Sequence, residues 1–206
     1  MNNFFSVDGF FYHICDTTAR LLAVNLLLIV TSLPLITFGT ALTAAHHVCG
    51  KIVERRSGNV FQEFFSAFRK NWKASSILWS CCGGLLALLV IDLGYLITVK
   101  ELLSWPIIGL GLVFILVAVV LQFGFPLIAR YQTPVRQAVI LAIKLCLAHP
   151  FISLLLLALT VGPLGACLLS PYLFVFGLYI GLFIAFAFMI FLQQHLLLYV
   201  FRKHEV

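Results

Sequence analysis

Residues 40–73 read TALTAAHHVCGKIVERRSGNVFQEFFSAFRKNWK and hold six of the 13 basic residues of the chain. In the first half, Ala45, Val48 and Ile52 recur at the spacing of one helix face, with more polar side chains opposite them. The second half repeats this division with aromatic and basic residues. The stretch therefore predicts a helical hairpin of two amphipathic helices, which we expect on the cytoplasmic side of a membrane.

The second helix of the hairpin has a predicted start and a predicted aromatic face. Gly58 suits the left-handed position that ends the first helix, and Asn59 suits the N-cap of the second. Gln62 stands where a capping box has its second partner. The candidate partner surface on this helix consists of Phe61, Phe64, Phe65, Phe68, Arg69 and Trp72.

Three interpretations of this aromatic face stay open. The helix can pack beneath a bundle of membrane helices and form its floor. It can instead be a docking surface for a partner protein, or a sensor of lipid headgroups, because aromatic faces with basic edges suit the headgroup boundary.

Outside this stretch the chain has the composition of a membrane protein. Of its 206 residues, 63% are hydrophobic and only 10% are charged, against roughly a quarter charged in soluble domains. A span needs ~20 apolar helical residues. We therefore expect one domain, residues 1–206, with the fold of an all-α integral membrane protein: a bundle of five transmembrane helices with amphipathic helices on the cytoplasmic side. The predicted spans are residues 19–38, 75–98, 105–128, 151–170 and 172–195.

The basic residues predict the orientation of these spans. With the N-terminus outside and the C-terminus in the cytoplasm, 11 of the 13 basic residues lie in inner loops, and only Arg20 and Lys100 lie outside. Such asymmetry follows the positive-inside rule. The net charge of +6 therefore predicts contact with the lipid bilayer and does not indicate nucleic acid.

Two local signals mark the ends of the first span. Residues 4–14 are aromatic and predict a short interfacial helix, after which Asp16 to Thr18 would cap the span. Pro34 lacks a backbone donor and is expected to kink or end the helix.

Polar residues within the predicted spans are the other candidate site. They are Arg20, Asp92, Gln122, Gln193 and His195. For Asp92 we consider an ion pair with Arg20, a protonatable transport site, and a carboxylate solvated near the outer interface. Gln122, Gln193, Gln194 and His195 are expected at similar depth, where they would form interhelical hydrogen bonds or line a polar vestibule.

We find no pattern typical of a cofactor, a metal site or a catalytic centre in the sequence. Adjacent residues of a helix diverge by about 100°, so His46 and His47 are poorly placed to bind one ion. The GxxxG pattern from Gly177 to Gly181 favours packing within the bundle over homodimerisation. The oligomeric state stays open, and we do not expect an enzyme.

Three motifs resemble the YesL family of small bacterial membrane proteins. They are Asn25-Leu26-Leu27, the run from Leu33 to Gly39 that matches L-P-x-x-T-x-G, and the run from Phe64 to Asn71 that matches F-F-x-x-F-(R/K)-x-N. The resemblance implies a protein of the bacterial cytoplasmic membrane whose activity is uncharacterised. It also implies genes that tend to lie near those for carbohydrate uptake or breakdown, and it supplies no catalytic residues.

Two functions are consistent with these features. The first is a membrane-embedded accessory or scaffold protein, associated with carbohydrate uptake systems, that contacts a membrane transporter or another membrane protein through residues 40–73. The alternative is a small-solute transporter or exporter with a site among spans two, three and five.

Overall fold

The computed structural model describes residues 10–56, 58–99 and 105–204. Within these ranges the chain is helical, without strands, which confirms the all-α class. The helices are α1 (Phe10–Ser32), α2 (Phe38–Val53), α3 (Val60–Val99), α4 (Trp105–Tyr131), α5 (Val135–Ala148), α6 (Pro150–Leu169), α7 (Pro171–Ile180) and α8 (Phe186–His204). A 3₁₀ turn, Leu35–Thr37, precedes α2, and a π-helical segment, Gly181–Ala185, joins α7 to α8.

Four helical segments among the described residues are long and apolar enough to cross a membrane. They are Tyr12–Ser32, Val60–Leu96, Trp105–Tyr131 and Pro171–Phe201. A fifth span is obtained if Val135–Ala148 and Pro150–Pro163, which are bent by 109°, cross together. The chain is therefore a membrane protein with four or five candidate spans.

Helix α2 lies inside the bundle, which differs from its predicted place on the cytoplasmic surface. It is in contact with α1, α3, α4 and α8, and Ala44, Val48 and Cys49 are fully buried. Hydroxyl groups on its remaining faces bond to α3: Thr43 Oγ1 lies 2.8 Å from Ser75 Oγ, and Thr40 bonds to α3 in the same way. Thr43, on the polar side of the predicted amphipathic helix, is therefore used for packing.

The connection from α1 to α2 is built by the run around Pro34, which ends α1 as predicted. The Thr37 hydroxyl lies 2.7 Å from the Thr31 carbonyl oxygen and donates to it. Trp79 Nε1 on α3 donates to the Leu35 carbonyl at 2.9 Å. A Cβ built on Gly39 would lie only 2.5 Å from the Trp79 Cβ, so glycine allows α2 and α3 to approach here.

The turn from α2 to α3 contains one confirmed prediction and two corrections. Asn59 Oδ1 accepts from the Phe61 backbone N–H at 3.1 Å, as an N-cap does. Its partner is Glu63, not Gln62, because Glu63 Oε1 accepts from the Gly58 backbone N–H at 3.0 Å. The left-handed position belongs to Arg55, with φ 55°, and no described glycine has a positive φ.

Two boundaries also differ from the predictions. Asp16 to Thr18 lie within α1, so they do not cap the first span, because the helix already runs through the residues before them. Residues 4–9 of the predicted interfacial helix lie outside the described residues. Helix α3 continues without a break from Val60 to Val99, so the second half of the predicted hairpin and the second span form one helix.

The π-helical segment is held by a residue of α1. Asn25 is fully buried, and its Nδ2 donates to the carbonyl oxygens of Gly181 and Leu182 at 3.0 and 2.9 Å. Its Oδ1 accepts from the Ala187 backbone N–H at 3.0 Å. A break in a helix frees backbone groups that must be satisfied in a membrane, and this side chain satisfies three of them.

Candidate functional site

The predicted aromatic surface divides into a buried part and an exposed part. Phe64 is fully buried in the cluster formed by α1, α2, α3 and α8, and Phe68 is half-buried beside it. Phe61, Phe65 and Trp72 have 51, 52 and 52% of their surface exposed. Phe64 is therefore a core residue and is removed from the candidate partner surface.

The exposed residues share one face of α3. Arg69 is exposed beside them, as are Lys70 and Lys73. We name Phe61, Phe65, Arg69 and Trp72 the outer face of α3. This face combines apolar rings with a basic edge, so neither hydrocarbon nor water alone matches it.

The predicted ion pair between Arg20 and Asp92 is not present. Arg20 Nε lies 2.7 Å from Asp16 Oδ2, one turn earlier in α1, and its Nη1 donates to the Gly58 carbonyl at 3.0 Å. Asp92 is exposed and lines a cavity of about 410 Å³ between α3 and α4, with Tyr95 and Pro106 among its neighbours. The prediction is wrong because α1 begins before Asp16, which gives Arg20 a carboxylate on its own helix.

Two of the predicted intramembrane glutamines meet at one hydroxyl group. Gln122 Nε2 on α4 and Gln193 Nε2 on α8 lie 3.2 and 3.0 Å from Thr160 Oγ1 on α6. Thr160 in turn donates to the Leu156 carbonyl at 2.9 Å. The cluster joins three helices, so the interpretation as interhelical hydrogen bonding is confirmed for these two glutamines.

Gln194 and His195 do not join this cluster. Gln194 is buried and its Nε2 lies 2.9 Å from His46 Nδ1 on α2. His195 is exposed, and its Nδ1 lies 3.2 Å from the Phe191 carbonyl of its own helix. The predicted vestibule of four residues is therefore wrong, because consecutive helical positions point in different directions.

A polar cavity between α2, α4 and α8 was not predicted from the sequence. It has a volume of about 340 Å³. Its lining consists of His46, His47, Gly50, Lys51, Glu54, Pro126, Ala129, Arg130, Tyr131 and Gln194. We name it the α2 cavity.

Ion pairs at the α2 cavity connect three helices. Arg130 Nη1 on α4 donates to Glu54 Oε1 at 2.9 Å, and Lys51 Nζ lies 3.2 Å from Glu63 Oε1 on α3. The Arg130 guanidinium also lies 5.8 Å from the centre of the Phe201 ring on α8. The sequence signal was the spacing of His47, Lys51 and Glu54, which lie among the polar side chains opposite the apolar face of the predicted amphipathic helix.

Two histidines of the cavity have defined hydrogen bonds. Helix α2 belongs to none of the candidate spans, and burial lowers the pKa of His46 to about 3. Its imidazole is therefore neutral at pH 7, with Nδ1 accepting from Gln194 and the proton on Nε2. His47 Nδ1 donates to the Ala129 carbonyl at 3.0 Å. Within the described ranges, no three His, Cys, Asp or Glu side chains are grouped to hold a metal ion.

Comparisons with known proteins agree with the motif analysis. Residues 21–93 match a family described as "Protein of unknown function, DUF624". The chain is 29% identical over 166 residues to "Uncharacterized protein YesL" of Bacillus subtilis (strain 168), with 77% of each chain covered. No solved structure matches the chain.

The matched residues have structural roles around α2. Asn25 holds the π-helical segment, Thr37 and Gly39 form the entry to α2, and Phe64 packs against it. Asn71 is buried and its Nδ2 donates to the Ala67 carbonyl at 3.1 Å. The chain is thus similar to YesL over most of its length, and the family resemblance that its motifs predict is confirmed.

Proposed function

We propose that this chain is a membrane-embedded accessory or scaffold protein that binds a second membrane protein through the outer face of α3. The observation that carries the proposal is the exposure of Phe61, Phe65 and Trp72 to more than half of their surface. Aromatic and arginine side chains are enriched at the centres of protein interfaces. The buried Phe64 anchors this face to the core, so it is presented on a packed helix.

The charge beside these rings supports a protein partner over lipid tails. Arg69, Lys70 and Lys73 are exposed next to the aromatic residues. A cation in hydrocarbon costs a few kcal/mol on insertion scales, whereas an acidic rim on a partner would stabilise it. The partner we propose is a permease with an apolar groove edged by carboxylates, and the YesL resemblance suggests a carbohydrate uptake system.

The proposal includes an orientation, with the outer face of α3 in the cytoplasm and the N-terminus outside. It is supported by the excess of basic residues in the loops assigned to the inside. Reporter fusions after residues 57, 134 and 206 should report the cytoplasm, and a fusion at residue 1 the outside. A cytoplasmic N-terminus would contradict the orientation.

Affinity purification in mild detergent tests the docking surface. We expect a permease to co-purify at a fixed ratio with the unchanged chain, and to be lost when Phe65→Ala and Trp72→Ala are combined. The matched control combines Tyr172→Ala and Tyr179→Ala on α7, whose rings are 85 and 65% exposed. Loss of the permease in both double variants, or in neither, would contradict the proposal.

The alternative function is a small-solute transporter or exporter, and the α2 cavity is the feature that favours it. Against it, the intramembrane glutamines Gln122 and Gln193 both bond to Thr160 and pack helices together. Flux measurements with the purified chain in liposomes separate the two functions. Flux without a partner would support transport and displace the accessory function.

A further inference from the structure

We propose that the α2 cavity binds a small oxyanion, a carboxylate or a phosphate group, through His46, Lys51 and Arg130. The anion belongs either to a small solute or to a lipid headgroup. This site is distinct from the outer face of α3 and does not depend on the docking proposal.

The first argument is an unused donor inside the protein. His46 is only 6% exposed and lines the cavity. Because its Nδ1 accepts from Gln194 at 2.9 Å, the remaining proton is on Nε2. Among the described residues no group accepts from Nε2. Because His46 lines the cavity, this N–H is a donor that an acceptor in the cavity can use.

The second argument is the charge of the lining. Lys51 and Arg130 contribute two positive charges and Glu54 one negative charge, while the neutral His46 contributes none. Arg130 is paired with Glu54. Lys51 is paired with Glu63, which lies outside the lining, so the charges around the cavity are balanced. The two cationic donors in the lining are nevertheless the hydrogen-bond partners that suit an oxyanion.

The third argument is that the two cations are held in place. The Glu54 carboxylate and the Phe201 ring fix the Arg130 guanidinium on two sides, and the Lys51 ammonium is fixed at 3.2 Å from Glu63 Oε1. Lysine has three N–H donors and one carboxylate oxygen does not use all of them. Fixed donors lose little side-chain entropy when they bind an anion.

Volume limits the size of the ligand. A cavity of about 340 Å³ is at the lower end of the range of about 300–1,000 Å³ that is typical of ligand pockets. A compact group with oxygen acceptors therefore fits within this volume.

Calorimetry with inorganic phosphate tests the site, with purified chain in a neutral detergent and ionic strength held constant with sodium chloride. We expect saturable binding to the unchanged chain. Lys51→Met keeps the apolar stem and removes the charge, and it should weaken binding about tenfold, since one charged hydrogen bond is lost. The matched control is Lys144→Met, because Lys144 is exposed on α5, away from the cavity.

Glu54→Gln should change the affinity for phosphate in the opposite direction. It removes the carboxylate that competes with the ligand for Arg130, so we expect phosphate to bind more tightly than to the unchanged chain. If Lys51→Met does not fold, the resonance of His46 Nε2 in the ¹⁵N-labelled unchanged chain replaces it, and that resonance should shift with phosphate concentration. No saturable binding, equal weakening in Lys51→Met and Lys144→Met, or an unshifted His46 resonance would overturn the proposal.

A competition experiment distinguishes the two sources of the anion. Phosphate binding is measured in nanodiscs of phosphatidylcholine and in nanodiscs that also contain phosphatidic acid. If phosphatidic acid abolishes phosphate binding by the unchanged chain, and Lys51→Met does not bind phosphate in these nanodiscs either, the anion is a lipid headgroup. If phosphate binds equally in both nanodiscs, the ligand is a soluble anion.

Discussion

Helix α2 contains polar residues and is largely buried, whereas helix α7 is apolar and exposed. In α2, ten of 16 residues are buried, and three of them are the polar residues Thr40, Thr43 and His46. Helix α7 reads PYLFVFGLYI and has no buried residue. The more polar helix is the enclosed one.

The difference follows from the solvent of a membrane protein. Lipid tails are as apolar as leucine, so the hydrophobic effect does not drive α7 into the interior of the bundle. Hydroxyl, amide and imidazole groups need hydrogen-bond partners, which the bundle interior provides. The helix with the polar groups is therefore placed between other helices.

The largest effect is expected where α2 approaches α3 most closely. A Cβ at position 39 would lie 2.5 Å from the Trp79 Cβ and 2.8 Å from the Ser75 carbonyl oxygen, so Gly39→Leu should separate the helices and abolish the folded state. On α4, Gly111 has nothing within 4 Å of a built Cβ, and Gly111→Leu should leave stability unchanged or slightly higher. The yield of monodisperse protein in detergent measures both. Normal yield of Gly39→Leu would show that the two helices can move apart.

The second comparison is between two phenylalanines. Phe64 is fully buried against α2, whereas Phe176 on α7 is 63% exposed. Phe64→Ala should cost about 3–5 kcal/mol and Phe176→Ala less than about 0.5 kcal/mol. Unfolding in detergent, followed by circular dichroism, gives the two values. Equal losses would remove the distinction between an enclosed and a lipid-facing region.

The third comparison is between two buried asparagines. Asn25→Leu removes three hydrogen bonds to backbone groups of the π-helical segment and α8, and a buried group left unsatisfied costs about 1–3 kcal/mol. Within the part of the chain that the structure describes, the Asn71 side chain bonds only to Ala67 of its own helix, so Asn71→Leu should cost about 1 kcal/mol or less. Melting temperatures rank the two variants. The reverse ranking would mean that the π-helical segment does not need Asn25.

The smallest effect is expected at Asp92. Because its side chain is exposed and Arg20 bonds to Asp16, Asp92→Asn should change stability by less than about 0.5 kcal/mol. The double exchange Arg20→Asp with Asp92→Arg should recover nothing lost in Arg20→Asp. Partial recovery of the melting temperature in the double variant would indicate that Arg20 and Asp92 do form an ion pair.

Local signals predicted some of the local structure in this chain, although Gly58, Gln62 and the run from Asp16 to Thr18 do not have their predicted roles. Asn59 as a cap and Pro34 as a helix end depend on groups within a few residues, and both predictions are confirmed. The roles of Arg20 and Gln194 depended on where helices start and how they are rotated. A hydrophobic pattern does not contain this information when lipid and protein interior are equally apolar.

The aromatic run on α3 illustrates the same limit. At about 100° per residue, Phe64 lies at one edge of the aromatic arc and Phe65 at the other. The sequence predicted the arc, but not that α2 would cover only the edge at Phe64. The α2 cavity was missed for a related reason, since its lining comes from three helices far apart in the sequence.

The unbroken length of α3 has a mechanical consequence. Its 40 residues give an axis of roughly 60 Å, about twice the thickness of the hydrocarbon core. Phe65 lies near one end of this helix and Asp92 near the other. A tilt of about 5° around its middle moves each end by roughly 2.6 Å in opposite directions. Such a tilt would change the width of the gap between Asp92 and Pro106, which line the same cavity.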